Sequence, residues 1–181
     1  MTQSNSSSNS LQSLETHSKL VSIICRTVNR PELAQALASI AQQSYSNIEV
    51  VLIDALDQGI DLQLEDVCPG RSVTLVSGLG KLPRSAAANA GLDNAKGDYL
   101  LFLDDDDWIA ANHISNLVEL LEGSSGVLAA YSSARKTNAA GTMLEHVFSH
   151  EFDRALLRRD NFIPIHAVLF SAALLQRGCR F

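Results

Sequence analysis

The stretch that decides the fold is AKGDYLLFLDDDDW, residues 95–108. A continuous apolar run, "YLLFL", stops abruptly and four carboxylates follow in a row, Asp104 to Asp107. An unbroken apolar run of this length suits a strand covered on both faces. Like charges about 4 Å apart repel by roughly 4 kcal/mol at an effective dielectric of 20. The cluster therefore needs something to offset it: water, helix ends or a cation.

Working outward, the same buried type of strand recurs. "LVSIIC" opens at Leu20, "IEVVLI" runs up to Asp54, "SVTLV" follows Arg71, and "GVLAAYSSA" begins at Gly126. Helical patterns lie between them. Pro31 and Glu32 mark a helix start, and Leu33, Leu37, Ile40 and Ala41 form one apolar stripe. "SAAANAGLDNAKG" reads as an Ala-rich helix stopped at Gly97. Ile114, Leu117, Val118 and Leu121 form a further stripe ended by Gly123. Strands alternating with helices predict an α/β fold with a mostly parallel sheet flanked by helices. After Ala134 the rhythm breaks. "RKTNAAG" reads as a turn-rich link, "SHEFDRALLRRD" as a short helix, "IPIHAVLF" as a strand and "SAALLQRG" as a last helix.

Composition narrows the function. The chain has 181 residues, a net charge of -6 and a pI of about 5.3. That balance argues against binding nucleic acid or an anionic membrane surface non-specifically. No apolar run approaches the roughly 20 residues that cross a bilayer, so no transmembrane segment is expected. Residues 1–19 are rich in Ser, Asn and Gln and read as a disordered tail without a signal sequence. Cys25, Cys68 and Cys179 have neither zinc-ligand nor disulfide spacing and read as reduced cytosolic thiols. The expected location is cytoplasmic, with peripheral membrane attachment left open.

In open parallel sheets, ligands bind beyond the carboxyl ends of the strands. Three polar clusters fall at such ends: Thr27 to Arg30, Asp54, and Asp104 to Asp107. One or two of the aspartates can be helix-capping residues. Four in a row after a buried strand point further, to a hard divalent cation held by one or two carboxylates and by substrate phosphates. Side chains alternate along extended backbone. Asp104 and Asp106 could then face one ligand while Asp105 faces elsewhere. Asp54 is either a loop-starting turn residue or an acceptor for a base or ribose. Arg84 is either a solvated helix start or the cation that meets a diphosphate. Thr27, Asn29 and Arg30 are equally ambiguous alone. "GLGK" at 78–81 is no P-loop, because Leu82 follows Lys81. His166, beside an apolar run, reads as a core histidine.

Taken together, these residues resemble a known family. "VSIICRTVNRPELAQALASIAQQSYSNIEVVLID" resembles the opening of inverting family 2 glycosyltransferases of the GT-A fold. "LPRSAAANAGLDNAKGDYLLFLDDDDW" is similar to their second block, in which an Asn-x-Gly helix, here Asn89 to Gly91, leads to the D-x-D strand. "NFIPIHAVLFSAALLQRGCRF" is similar to the segment before their catalytic acidic motif. The resemblance implies that Thr27, Asn29 and Arg30 meet the nucleotide, that Asp54 recognises the base and that Arg84 lies near a basic residue contacting the nucleotide or diphosphate. It implies Asp104 and Asp106 as the D-x-D pair, with Asp106 the direct ligand of Mn²⁺ or Mg²⁺, and Asp105 near the ribose. The implied donor is a nucleotide-diphosphate sugar, with a UDP-sugar as first choice. The implied acceptor is a saccharide, lipid or protein hydroxyl. Arg26 and Val28 stand where the family has Pro and Tyr, "ALD" follows Asp54, and Ala88 replaces an Arg.

The resemblance puts the catalytic base beyond Phe181, so no base is assigned. It divides the chain into the tail, a nucleotide-sugar-binding half at 20–134 and the start of an acceptor-side half at 135–181. The chain reads as a truncated glycosyltransferase, inactive by itself. Two other readings are a non-catalytic nucleotide-sugar-binding domain and a nucleotidyltransferase. "RTVNRPE" lacks the Gly-rich basic loop expected of the latter.

Overall fold

The computed structural model describes residues 18–138 and 141–181. The expected tail lies outside the described residues except for Ser18 and Lys19. Their carbonyls accept hydrogen bonds from Asn47 Nδ2 (2.6 Å) and Tyr45 Oη (2.5 Å).

The chain forms β1 (Val21–Thr27), α1 (Leu33–Ala41), β2 (Ile48–Asp54), α2 (Leu64–Val67), β3 (Ser72–Val76), α3 (Arg84–Asn94) and β4 (Tyr99–Asp104). It continues with α4 (His113–Glu122), β5 (Ala129–Tyr131), β6 (Ala134–Thr137), β7 (Met143–Phe148) and α5 (Arg154–Leu157). A 3₁₀ turn (Ile165–Ala167), β8 (Val168–Ser171) and α6 (Ala173–Gln176) complete it. No described helix is long and apolar enough to cross a membrane.

Six strands form one sheet in the order β3-β2-β1-β4-β8-β5. The pairs β3–β2, β2–β1 and β1–β4 are parallel, and β8 runs antiparallel between β4 and β5. The expected mostly parallel α/β fold is what forms. Every residue of β1 and β2 is buried, because both sheet faces are covered. On one face, Leu33, Leu37 and Ile40 of α1 and Ile114 and Leu117 of α4 pack on Ile23, Val50 and Leu101. On the other, Ala87, Ala88 and Leu92 of α3 pack on Ile24, Val51 and Phe102.

Several local expectations shift. Pro31 and Glu32 form the turn before α1, whose first residue is Leu33. Gly97 does not stop α3, which ends at Asn94. Its role is close approach: a Cβ there would lie 2.6 Å from the Ser22 nitrogen and 2.8 Å from the Leu20 oxygen. "GVLAAYSSA" is not one strand. It yields the short β5 and then β6, so the expected link at 135–141 begins as a strand paired with β7. β7 was not anticipated because its residues are almost all exposed and show no buried face. Ala139 and Ala140, in the same link, lie outside the described residues. The strand expected from "IPIHAVLF" is preceded by the 3₁₀ turn and joins the main sheet as β8.

The Asn-x-Gly pattern has a packing cause on its glycine. A Cβ on Gly91 would lie 2.2 Å from Cγ2 of the fully buried Ile24. Overpacking of this kind costs about 1–3 kcal/mol, against a helix-propensity gain for Ala of up to about 1 kcal/mol. Gly91→Ala is therefore expected to lower stability by about 1–2 kcal/mol in urea unfolding. An unchanged or raised midpoint would contradict the packing.

His113 Nε2 lies 3.1 Å from the His166 carbonyl oxygen, bracing α4 against the 3₁₀ turn. Burial, the leading cause, holds the His113 pKa below its ordinary 6.5; the carbonyl contact pulls upward and the charge of His166 pushes down. With the folded pKa depressed, the unfolded chain binds more protons below about pH 6.5, so stability falls as pH drops through that range. Urea unfolding at pH 7.5 and pH 5.5 should show a smaller loss for His113→Gln than for the wild type. Equal losses would contradict this.

Candidate active site

The sheet register sets three strand ends side by side. Thr27 lies opposite Asp54, and Arg26 lies opposite Asp104. Beyond these residues the backbone leaves the sheet, so β1, β2 and β4 open their loops on one edge.

Asp105 joins two of these loops. It is only 2% exposed and accepts hydrogen bonds from Thr27 Oγ1 (2.7 Å), Val28 N (2.8 Å) and Arg30 Nη1 (2.9 Å). Thr27 Oγ1 in turn accepts from Asn29 N at 2.9 Å. Asn29 has φ +60°, a conformation that Asn tolerates better than most residues, and its side chain donates to Gly59 O at 2.9 Å. Thr27, Asn29, Arg30 and Asp105 therefore form one hydrogen-bonded unit.

Asp54, buried at the end of β2, accepts from Leu56 N (3.1 Å) and Gly59 N (2.7 Å), which makes it a turn former. Asp57 repeats the device at longer range and escaped the sequence reading. At φ +56° it accepts from Gly78 N (2.6 Å) and Gly80 N (3.0 Å). The signal was present as an Asp in "DALDQG" and two glycines in "SGLG". With Leu82 N donating to Ala55 O, this fixes the loop that delivers Arg84 as the first residue of α3.

The acidic cluster is largely offset by the protein's own cations. Asp104 pairs with Arg26. Arg30 Nη1 bridges Asp105 (2.9 Å) and Asp106 (2.7 Å). Asp107 Oδ2 lies 2.9 Å from His166 Nδ1. His166 is thus not the core histidine expected: it pairs with the cluster and lines the cavity described below. Arg26, noted in the sequence only as standing where the family has Pro, was not named as a site residue, although a charged residue near the end of "VSIICRT" was the visible signal. Only 8% exposed, it lies 5.8 Å from the Phe102 ring centroid, and its Nε is buried without a partner. Burial works to lower the Arg30 pKa, but the charges of Asp105 and Asp106 outweigh it and raise the value. Burial, then Asp105 and Asp104, push the Cys25 thiol strongly upward, so it stays protonated and inert.

Above the strand ends lies a cavity of about 870 Å³, lined among others by Arg26, Arg84, Asp104, Asp106, Trp108 and His166. A smaller one of about 120 Å³ is bordered by Thr27, Arg30, Ala55 and Asp105, and shares Arg26, Arg84 and Asp104 with the first. Asp54 and Asn29 border neither; their side chains bond the loop that follows β2. Asp106, its side chain 49% exposed, offers the most accessible carboxylate of the cluster. Among the described residues, no group of three or more His, Cys, Asp or Glu is arranged to hold a metal. The donor set suits a hard cation that takes one or two carboxylates here and the rest of its oxygens from a bound phosphate.

The comparisons agree with this architecture. The description Glycosyl transferase family 2 fits residues 22–179. An uncharacterized glycosyltransferase of Haemophilus influenzae is 35% identical over 105 residues, 56% of this chain and 42% of that protein. The amylovoran biosynthesis glycosyltransferase AmsB of Erwinia amylovora is 36% identical over 112 residues, 56% of this chain and 36% of that protein. Among solved structures, the mannosyltransferase PcManGT of Pyrobaculum calidifontis, in complex with GDP-Man and Mn²⁺, has a TM-score of 0.66 at 21% identity. That match covers 92% of this chain and 48% of that one. Residues 1–349 of TarS from S. aureus, in complex with UDP-GlcNAc, give 0.62 at 17% identity, covering 88% and 47%. The chain thus spans less than half the length of these relatives. Its sheet, its edge of loops and its match over nearly every described residue lead to one conclusion: this chain belongs to glycosyl transferase family 2.

Proposed function

We propose that this protein transfers a sugar from a nucleotide-diphosphate sugar, with a UDP-sugar as first choice, to a hydroxyl of a saccharide, lipid or protein acceptor, inverting the anomeric carbon. The observation that carries the reading is that Arg84, Asp104 and Asp106 share one cavity at the carboxyl edge of the sheet. The complexes of PcManGT with GDP-Man and Mn²⁺ and of TarS with UDP-GlcNAc support it.

In this reading the smaller cavity receives the nucleoside. Thr27, Arg30 and Asp105 form its polar wall, while Asn29 and Asp54 keep the base-side loop in shape. Arg84 sits on the first turn of the eleven-residue α3, where its guanidinium and the helix N-terminus both favour a diphosphate. Asp106, seconded by Asp104, would hold Mn²⁺ or Mg²⁺. When bound, such an ion supplies Lewis-acid stabilisation of the departing diphosphate. Both carboxylates are ion-paired, Asp104 with Arg26 and Asp106 with Arg30, but Asp106 is the more exposed of the two and would be the principal ligand. Arg30, which also contacts Asp105, would still have a partner if Asp106 held the ion. The acceptor hydroxyl loses its proton to a base as it attacks.

Titration calorimetry of UDP with and without Mn²⁺ tests the reading. Wild-type protein should bind UDP more tightly with the ion, and Asp106→Asn should cost at least about tenfold, or about 1.4 kcal/mol, in its presence. Equal affinity in the variant would remove Asp106 from the metal site. No UDP binding at all would overturn the donor site.

A further inference from the structure

The large cavity has a second wall that the donor reading does not use. It comes from β6 and β7, which form a two-stranded ribbon outside the main sheet. Arg135 and Lys136, adjacent on β6, both line the cavity, as does Phe148 of β7. Adjacent residues on a regular strand point to opposite sides. Here the ladder is interrupted: Arg135 pairs with Val147 but Thr137 pairs with Met143. Irregularities of this kind re-aim side chains, and they cluster beside active sites. The Lys136 ammonium lies 5.5 Å from the Phe148 ring centroid, which holds the charge at the cavity wall.

The charges around the cavity are unevenly matched. Asp104 and Asp106 are ion-paired with Arg26 and Arg30, and Asp107 lies against the His166 ring nitrogen. Arg135 and Lys136 take part in none of the ion pairs among the described residues. Arg84 does not either, but the donor diphosphate accounts for it. Two unpaired cations therefore face the cavity from the ribbon of a protein whose net charge is -6.

We propose that the β6–β7 ribbon is an anion-recognition wall for the second substrate, so that the acceptor carries a phosphate or carboxylate near the hydroxyl that is glycosylated. This rests on the donor reading above, since it assigns the ribbon side of the cavity to the acceptor. An unpaired Arg and an aromatic-held Lys suit either anion, Arg through its planar fork and Lys as a point charge.

The test uses glycerol 1-phosphate and gluconate as probes, with glycerol as the neutral control. Each is titrated at low salt into the 181-residue chain, free and saturated with UDP and Mn²⁺. The wild type should bind both anionic probes in the UDP-loaded state and not glycerol. Arg135→Gln/Lys136→Gln should weaken the probes by about tenfold or more while UDP affinity stays within about twofold. Arg135 and Lys136 are exposed, so the variant should keep its melting temperature. Absent probe binding to the loaded wild type, or probe binding unaffected in the variant, would overturn the proposal. So would an equal loss of UDP affinity, which would hand both cations to the donor diphosphate. Tighter binding of UDP-glucuronate than of UDP-glucose, lost in the variant, would move the wall to the donor sugar and overturn the acceptor assignment. If the wild type fails to bind UDP, the donor reading fails by itself. The nucleotide-free titration then decides for the ribbon on the same criterion.

Discussion

The carboxylate of Asp105 is the constraint on which the site depends. A buried anion must be met by donors, because leaving it unpaired costs several kcal/mol. Thr27 Oγ1, Val28 N and Arg30 meet it, and all three come from the end of β1 and the loop that follows. The chain can satisfy Asp105 only by holding the β1 loop against the turn after β4. Once that contact is made, Asp104 and Asp106 on either side of it reach the large cavity. The next segment is fastened too: Gln43 donates to Ala110 O at 2.8 Å and accepts from Ile114 N at 3.1 Å.

The two ends of the sheet are treated differently. At the amino ends, Glu49 is buried and accepts from Ser22 Oγ (2.5 Å) and Lys96 N (2.7 Å), while Gly97 allows the backbone to close over β1. That end is sealed. At the carboxyl ends the same parallel pairing leaves the loops to bond one another through Asp54, Asp57 and Asp105, with the cavities above them. Four adjacent aspartates are tolerated there because Arg26, Arg30 and His166 are interleaved among them. A ligand that reached Asp106 would displace part of an existing ion-pair network.

Much of this was legible in the sequence. Strands buried on both faces announce themselves as apolar runs, and each of β1, β2 and β4 ends at a polar residue that the register then aligns. What could not be read was partnership. Arg26 stood out only as a departure from the family's Pro, and only the ladder shows it opposite Asp104. His166 looked apolar by its neighbours, yet the 3₁₀ turn directs it to Asp107. Asp57 is joined to glycines more than twenty positions away, a separation that no local pattern encodes. The β6–β7 ribbon was missed because strand recognition relies on a buried face, and this ribbon has almost none. Its irregular register, which brings Arg135 and Lys136 to one cavity, has no counterpart in the residue pattern.

The most direct test of the account is a crystal structure of the chain grown with UDP and Mn²⁺, with the ion located by its anomalous scattering. The account predicts the ion coordinated by Asp106 and by diphosphate oxygens, with Arg84 against the diphosphate and Asp105 still bonded to Thr27. An ion bound away from Asp106, or a nucleotide lying outside the carboxyl edge of the sheet, would contradict it.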